Sequence, residues 1–460
     1  MKYYKIVQFF FFLFSISFYF FNASIGYWIF LSFSFFILSI LNLKNRFQKS
    51  LPSGEVISLI FFIQNTFAIV LIYLLFNKND YNTESYYLQI PILQYLPFSL
   101  LSSQSILLGY SMIEKPDYIW KNYILNTKKF IERNIILKVL FIGIIGSLIS
   151  ILHIPINGFV GYLLGQFTLC ALIGLYLYSA GDKKSLYYLI VAIGLILFSV
   201  IRSGMFTALS QYSVFFGLLF ITKRNLAGKR INTIYFLLIL CFGIVLMAFF
   251  QNLKINYREK SWITEQDANS SNFYSSAENI TQTMDFRDKY FYMSLLGRIN
   301  EGWLVSCVME KVPINEPYAN GKTIYNSLFN SFLPRVINPN KEEAGGSEKI
   351  LRFTNLTLEK GVSMNIGTLG ETYANFGESG SIVFLLFFGF ILGYLERGLL
   401  LYSQKQPMVL LFSPIYIICL LTSENDFLWI FNTLTMGTLF IYVVIRFVLG
   451  KPNTQIHIGT

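Results

Sequence analysis

Charged residues are scarce in this chain. Aspartate, glutamate, lysine and arginine make up 13% of its 460 residues, whereas hydrophobic residues make up 54%. An ordinary soluble domain carries roughly 25% charged residues. The composition therefore argues against a soluble protein and indicates an all-α, polytopic membrane protein.

Sequence patterns for metal and nucleotide binding are missing as well. The chain has two histidines, His153 and His457, and four scattered cysteines without a CxxC pair. Neither HExxH nor DxD occurs, and GxxxxGK and GxGxxG are also absent from the sequence. We therefore expect no metal and no cofactor. An enzyme on the outer face of the membrane would have to use an already activated substrate.

Twelve apolar runs follow one another, the first from Val7 to Phe21 and the last from Leu428 to Val448. A membrane helix needs about 20 apolar residues, so we predict about twelve spans. Lysine and arginine concentrate after every second run, beginning with Lys44, Arg46 and Lys49. Because basic residues accumulate on the cytoplasmic side, both termini are predicted to be cytoplasmic. We interpret the net charge of +11 as an orientation signal rather than as a nucleic-acid interface.

One long polar stretch interrupts the apolar runs. It predicts a membrane bundle of about nine helices at 1–250, a large outer loop at 251–379, and about three helices with a cytoplasmic tail at 380–460. Loops of this length are usually functional, and apolar spacing within this one predicts a cap of short helices. The tenth run, from Ser381 to Leu395, is expected to start a membrane helix, with Glu378 near the start of that helix.

Glu371 is the strongest carboxylate candidate in the outer loop. It lies about ten residues before the tenth run, where a carboxylate beside an apolar surface can act as a general base. Tyr373 and Asn375 follow it and offer a ring and an amide to sugar hydroxyls. The alternative is that this segment only caps the next helix. Glu424 and Asp426, in the last outer loop, are interpreted as a secondary rim site.

Arginines of the outer loop are candidates for anion binding, because the guanidinium fork matches a phosphate group. The loop holds thirteen basic and fifteen acidic residues, so only local clusters could attract an anion. The alternative is that these arginines form solvated ion pairs. Arg202 stands apart because it lies between two apolar runs, where an arginine is either functional or reaches interfacial water.

The layout, with one large outer loop before the last three spans, resembles the Wzy-type polysaccharide polymerases, which join O-antigen or capsular repeat units. Local patterns add to this resemblance: Arg202-Ser203-Gly204, Leu333-Pro334-Arg335 followed by Pro339 and Lys341, and Gly370-Glu371-Thr372-Tyr373 with Asn375-Phe376-Gly377.

The resemblance implies a GT-C-like, metal-independent glycosyltransferase of the bacterial inner membrane with a periplasmic loop. Donor and acceptor would be undecaprenyl-diphosphate-linked glycans, and a chain-length regulator is a possible partner expected from the family. Glu371 would take the proton of the acceptor hydroxyl, and Arg202, Arg258, Arg298 and Arg335 would neutralise the leaving diphosphate. The residues expected to bind substrate are Arg258, Arg335, Lys341, Arg352, Tyr373 and Asn375.

Two alternatives remain open. An O-antigen ligase is expected, as a family, to carry a loop histidine, and none lies between Gln251 and Ser379. A lipid-linked oligosaccharide flippase or a transporter would usually show two similar halves with short loops. The single long loop favours the polymerase over both.

Overall fold

The computed structural model describes residues 2–21, 23–80, 87–151, 158–179, 182–203, 207–229, 231–258, 270–333, 345, 347–358 and 362–450. Within these ranges the chain is helical and contains no strand. Six helices are long and apolar enough to cross a membrane, and a pair of helices bent by 83° is a seventh candidate. The chain is thus a helical membrane protein. Within the described ranges, each of the twelve apolar runs lies mostly on a helical segment, but twelve spans remain a prediction.

The first ten helices form the N-terminal bundle. The longest of them, α10, continues past the predicted loop boundary at residue 251. Its apolar face continues into its polar C-terminal end. The bounds are α1 Lys2–Phe20, α2 Ile25–Arg46, α3 Ser53–Leu75, α4 Ile92–Met112, α5 Asp117–Phe130, α6 Arg133–Ile151, α7 Gly158–Tyr178, α8 Lys183–Ser203, α9 Thr207–Leu226 and α10 Thr233–Arg258.

Five short helices occupy the described part of the predicted outer loop. They bury apolar side chains against the bundle, among them Val308, Ile350 and Phe353. Their bounds are α11 Ser270–Thr283, α12 Lys289–Ile299, α13 Gly302–Lys311, α14 Lys322–Phe332 and α15 Ser347–Thr354.

The last three helices are α16 Gly367–Ser403, α17 Pro407–Leu421 and α18 Phe427–Leu449. Helix α16 begins fourteen residues before the expected start at Ser381, so the last residues of the predicted outer loop are helical. Gly377 divides α16 into two arms, with φ 68° and ψ −167°, a backbone conformation that essentially only glycine adopts. Glu378 directly follows this break, so it lies at the start of the second arm, as expected, and it accepts a hydrogen bond from the Tyr19 hydroxyl at 2.7 Å.

Several helix ends with basic residues meet on one side of the bundle, here called the basic side. Lys44 Nζ, near the end of α2, donates to Thr233 Oγ1, at the start of α10, at 2.5 Å. Arg46 forms two hydrogen bonds with Asp117, at the start of α5, at 2.7 and 3.0 Å, and its Nε lies 2.9 Å from Glu55 of α3. The C-terminal end of α10 therefore lies on the opposite side.

Helix α16 runs in the opposite sense to α10, because its C-terminal end lies on the basic side. Near its C-terminal end, Glu396 accepts hydrogen bonds from Ser53 and Tyr110 and lies 3.7 Å from Lys115 Nζ. These partners belong to the start of α3, the end of α4 and the turn between α4 and α5. The N-terminal arm of α16, which carries Glu371, is therefore on the opposite side, together with the end of α10.

Helices α4 and α16 approach each other closely through glycines. A Cβ atom on Gly109 would lie 2.0 Å from the carbonyl oxygen of Leu386, and one on Gly389 would lie 2.2 Å from that of Ile106. Such contacts leave room only for hydrogen at these positions, as in other membrane helix pairs with small interfacial residues. This contact fixes α16 against the bundle and so positions its N-terminal arm.

Candidate functional site

The short loop between α17 and α18 connects the predicted outer-loop residues to the bundle. The carbonyl oxygen of Ser423 accepts from Thr368 N at 2.8 Å, and the carbonyl oxygen of Asn425 accepts from Thr368 Oγ1 at 2.8 Å. The loop thereby satisfies part of the N-terminal end of α16, whose first N–H groups have no partner within the helix. Glu424 and Asp426 of this loop belong to two adjoining ionic groups.

The first group, here called the carboxylate centre, consists of Glu371, Lys349 and Asp426. Lys349 Nζ lies 3.1 Å from Glu371 Oε1 and 3.2 Å from Asp426 Oδ2. The second oxygen of Glu371 accepts from Phe427 N at 2.9 Å. Asp426 Oδ1 accepts from Trp429 N at 2.9 Å, so this residue caps α18. Glu371 is fully buried, and its charge is balanced by Lys349 from helix α15.

The second group, here called the arginine cluster, is built around Arg298 at the end of α12. Its guanidinium forms two parallel hydrogen bonds with Glu424, at 2.8 and 3.0 Å, and lies 4.0 Å from Glu301. Lys254 and Arg258, in the last turns of α10, lie within electrostatic range of Arg298. Three cations thus face two carboxylates, and the arginine fork is oriented as it would be toward a phosphate.

Glu301 is the carboxylate of this cluster that is least able to hold a charge. Burial, and then the negative charge of Glu424, raise the pKa of Glu301 to about 8, while Arg298 acts in the opposite direction. At neutral pH the protonated form therefore predominates. The arginine cluster then carries more positive than negative charge, which favours an anionic ligand.

A π-helical turn in α3 forms hydrogen bonds with two segments of the arginine cluster. It spans Ile63–Phe67, and such a turn interrupts the α-helical pattern of backbone hydrogen bonds. The carbonyl oxygen of Gln64 accepts from Glu301 N at 3.0 Å. The side-chain oxygen of the same residue accepts from Ser423 N at 2.9 Å. One residue of a buried helix thus holds both the segment that follows Arg298 and the loop that carries Glu424.

Tyr373 and Asn375, predicted to bind substrate, are directed into the protein. The Tyr373 hydroxyl donates to the carbonyl oxygen of Val312 at 3.3 Å, and its ring lies edge-to-face with Phe98 at 5.5 Å. Asn375 Nδ2 donates to Thr323 Oγ1 at 2.7 Å. The ring of Tyr373 is therefore covered in this structure, and both side chains hold the N-terminal arm of α16 against its neighbours.

The remaining predicted residues lie at different places. Arg352 is half exposed, and its Nε lies 2.6 Å from Glu316 Oε1. It therefore forms a surface ion pair, which is the alternative to anion binding. Arg202 falls in the last turn of α8, and its side chain is not among those described. Arg335 and Lys341 lie outside the described residues. Among the predicted arginines whose side chains are described, Arg258 and Arg298 come together and Arg352 lies elsewhere.

Sequence reasoning missed Lys349, Lys254 and Glu301 as residues of this site, and it missed the central position of Glu424. Lys349 has a usable signal, because α15 places it among buried residues on a strongly amphipathic helix. The sequence predicts a secondary rim site at Glu424 and Asp426, whereas in the structure each belongs to a different ionic group. In the described ranges, no three side chains of His, Cys, Asp or Glu form a group suited to a metal ion.

Comparison with known proteins yields no relative. No family model matches the chain, and no match was found among curated proteins or solved structures.

Proposed function

We propose that this protein is a membrane glycosyltransferase of the Wzy type. It would polymerise undecaprenyl-diphosphate-linked repeat units into O-antigen or capsular polysaccharide at the periplasmic face of a bacterial inner membrane. One observation carries the proposal. The buried carboxylate Glu371 and the arginine cluster adjoin the same short loop, on the side opposite to the basic helix ends.

The arginine cluster suits a lipid-linked diphosphate donor. Arg298 already presents both arms of its guanidinium to the carboxylate of Glu424. A diphosphate oxygen pair offers the same geometry with more negative charge, so it can replace Glu424 as the partner of Arg298. Lys254 and Arg258 add positive charge where the leaving diphosphate develops its own charge. Neutralisation by side chains makes a metal ion unnecessary in this proposal.

The carboxylate centre suits the acceptor. A sugar hydroxyl of the incoming repeat unit gives its proton to Glu371 and attacks the anomeric carbon of the donor glycan. The new glycosidic C–O bond forms as the bond from the anomeric carbon to the diphosphate oxygen breaks, with inversion at that carbon. The lipid diphosphate leaves with the bonding electron pair toward the arginine cluster.

Lys349 controls access to the proposed base. It contacts Glu371 directly, and the carboxylate is fully buried beneath it. The acceptor hydroxyl can reach Glu371 only after Lys349 moves aside, which leaves the lysine with Asp426 as its partner. Lys349 thus remains the partner of Glu371 without a substrate and releases it when the acceptor enters.

The test uses cells that lack this gene and a gel of their lipopolysaccharide or capsule. Wild type should restore a ladder, whereas Glu371→Gln should leave a core with a single repeat unit, because a general base typically contributes 10²–10⁴-fold in rate. Glu348→Gln is the matched control, since it removes an exposed carboxylate from the same neighbourhood. It should restore the ladder fully.

Other outcomes would contradict the proposal. If loss of the gene removes all glycan from the core, a ligase or flippase explains the chain better. If Glu371→Gln restores a normal ladder, the general-base role is wrong even where the polymerase activity stands. The same assay with purified protein in liposomes and EDTA should still give polymer, and loss of polymer in EDTA would contradict the metal-independent mechanism.

A further inference from the structure

A cavity lies away from the candidate site, on the basic side of the bundle. It has a volume of about 840 Å³ and is lined mainly by parts of α16, α17 and α18. Most of its wall is apolar, with Ile417, Leu420 and Leu434 at one end. Lys405 and Arg446 line the other end. The cavity is therefore amphipathic along its length.

The cavity has the length of one leaflet of a membrane. Its wall on α18 extends from Leu434 to Gly450. At a rise of 1.5 Å per residue these sixteen steps cover roughly 24 Å. A single leaflet with its headgroups is about 20–22 Å thick, half of the full bilayer. Tyr402 and Tyr442 also line the cavity, and tyrosine is enriched at the level of lipid headgroups.

The basic end offers unused hydrogen-bond donors. In the described chain no ion pair is found for either Lys405 or Arg446. Trp120, on α5, also lines the cavity. It is only 4% exposed, and its indole Nε1 has no acceptor among the described residues. A buried donor without a partner costs free energy, so an acceptor atom in the cavity would stabilise the protein.

The carboxylate of Glu396, which lines the cavity, already has hydrogen-bond partners within the protein. It accepts hydrogen bonds from Ser53 and Tyr110 and lies 3.7 Å from Lys115 Nζ. A headgroup with its own positive charge would find no free carboxylate there, whereas an anionic phosphate would meet two cations. The charge pattern therefore distinguishes between headgroups.

We propose that this cavity binds one anionic glycerophospholipid from the leaflet on the basic side. The phosphate lies against Lys405 and Arg446, and one of its oxygens accepts the Trp120 N–H. One acyl chain follows the apolar wall toward Leu420 and Leu434. Basic pockets between membrane helices bind anionic headgroups in this way. The bound lipid stabilises the contact between the C-terminal end of α16 and helix α18.

The test measures lipid binding to the full-length protein by native mass spectrometry. Dioleoylphosphatidylglycerol is compared with dioleoylphosphatidylcholine on wild type, on Lys405→Ala/Arg446→Ala and on Lys49→Ala/Arg397→Ala. The last variant is the matched control, because it removes two exposed cations outside the cavity wall. Wild type should prefer phosphatidylglycerol. The cavity variant should bind it about 30-fold more weakly, the loss expected for two cations near a membrane surface, and the control should match wild type.

Trp120→Phe tests the donor while it keeps an aromatic ring in place. It should weaken phosphatidylglycerol binding about fivefold to tenfold, since one net hydrogen bond is lost. Equal binding of both lipids to wild type would overturn the proposal, and so would equal binding of phosphatidylglycerol to the cavity and control variants. Displacement of phosphatidylglycerol by an equimolar polyprenyl monophosphate would also overturn it, because the occupant would then be a prenyl lipid.

Discussion

The charge balance of the carboxylate centre predicts an unusual pattern of mutant stabilities. Lys349→Met leaves Glu371 and Asp426 in the interior with no cation between them, because Lys349 contacts both at 3.1 and 3.2 Å. Breaking a buried ion pair from one side costs about 3–5 kcal/mol. Lys349→Met should therefore lower the midpoint of thermal unfolding by several degrees. Glu371→Gln should cost less, because the glutamine oxygen can still accept from Phe427 N and Lys349 keeps Asp426.

The double variant Lys349→Met/Glu371→Gln gives the sharper result. It removes the pair and leaves only Asp426, whose charge is held at the start of α18. We expect this variant to be more stable than Lys349→Met alone, with a coupling free energy of about 1–3 kcal/mol. The assay is thermal unfolding of the detergent-solubilised protein, followed by tryptophan fluorescence, with Glu348→Gln as the control. If the double variant is as unstable as the sum of the two single variants, the two side chains do not form a buried pair.

Three further predictions concern the arginine cluster and the helix contact. Burial raises the pKa of Glu301 to about 8 from an unfolded value of about 4.3. The contribution of the neutral carboxyl group to stability is therefore complete below the unfolded pKa and is lost progressively as the pH rises to 8. Wild type should therefore lose stability relative to Glu301→Gln between pH 5 and pH 8, by up to about 1 kcal/mol per pH unit, and parallel stability profiles would contradict this assignment. Arg298→Lys keeps the charge but loses the two parallel hydrogen bonds to Glu424, so polymer formation in liposomes should fall at least about tenfold; full activity would show that the fork is not needed. Gly109→Ala should prevent stable folding, since its Cβ would lie 2.0 Å from a carbonyl oxygen, whereas Gly243→Ala, with nothing within 4 Å, should be neutral or stabilising by up to about 1 kcal/mol; similar yields of folded protein on size-exclusion chromatography would contradict the close contact.

The helical segments were predictable from the sequence because long apolar runs leave the backbone few alternatives in lipid. The start of α16 was not predictable from the sequence. Residues 367–380 are rich in glycine and polar side chains, a composition typical of a loop. They form helix because the loop before α18 accepts hydrogen bonds from Thr368 and because Gly377 permits the break between the two arms. Neither cause is visible in the local sequence.

The site was predictable only in part, for a similar reason. Glu371 and Arg298 were selected on local grounds, and both lie in ionic groups at the same loop. Their partners are far away in the sequence, since Arg298 pairs with Glu424, 126 positions later. Lys349 lies 22 positions before Glu371, beyond the reach of helical periodicity. Pairings of this kind depend on how the helices pack, so a single sequence gives no signal for them.

The π-helical turn of α3 also constrains how this chain could have changed during evolution. Such a turn contains one residue more than the α-helix it interrupts, and each residue of an α-helix adds a rotation of about 100°. Loss of a single residue from Ile63–Phe67 would therefore rotate the half of α3 that follows, turning Ile69 away from its present neighbours beside Gly302. It would also return the carbonyl oxygen of Gln64 to the helix, where Glu301 N could no longer reach it. A one-residue deletion in this buried helix should thus be more damaging than most substitutions there, and length at this turn should be kept even where its residue types vary.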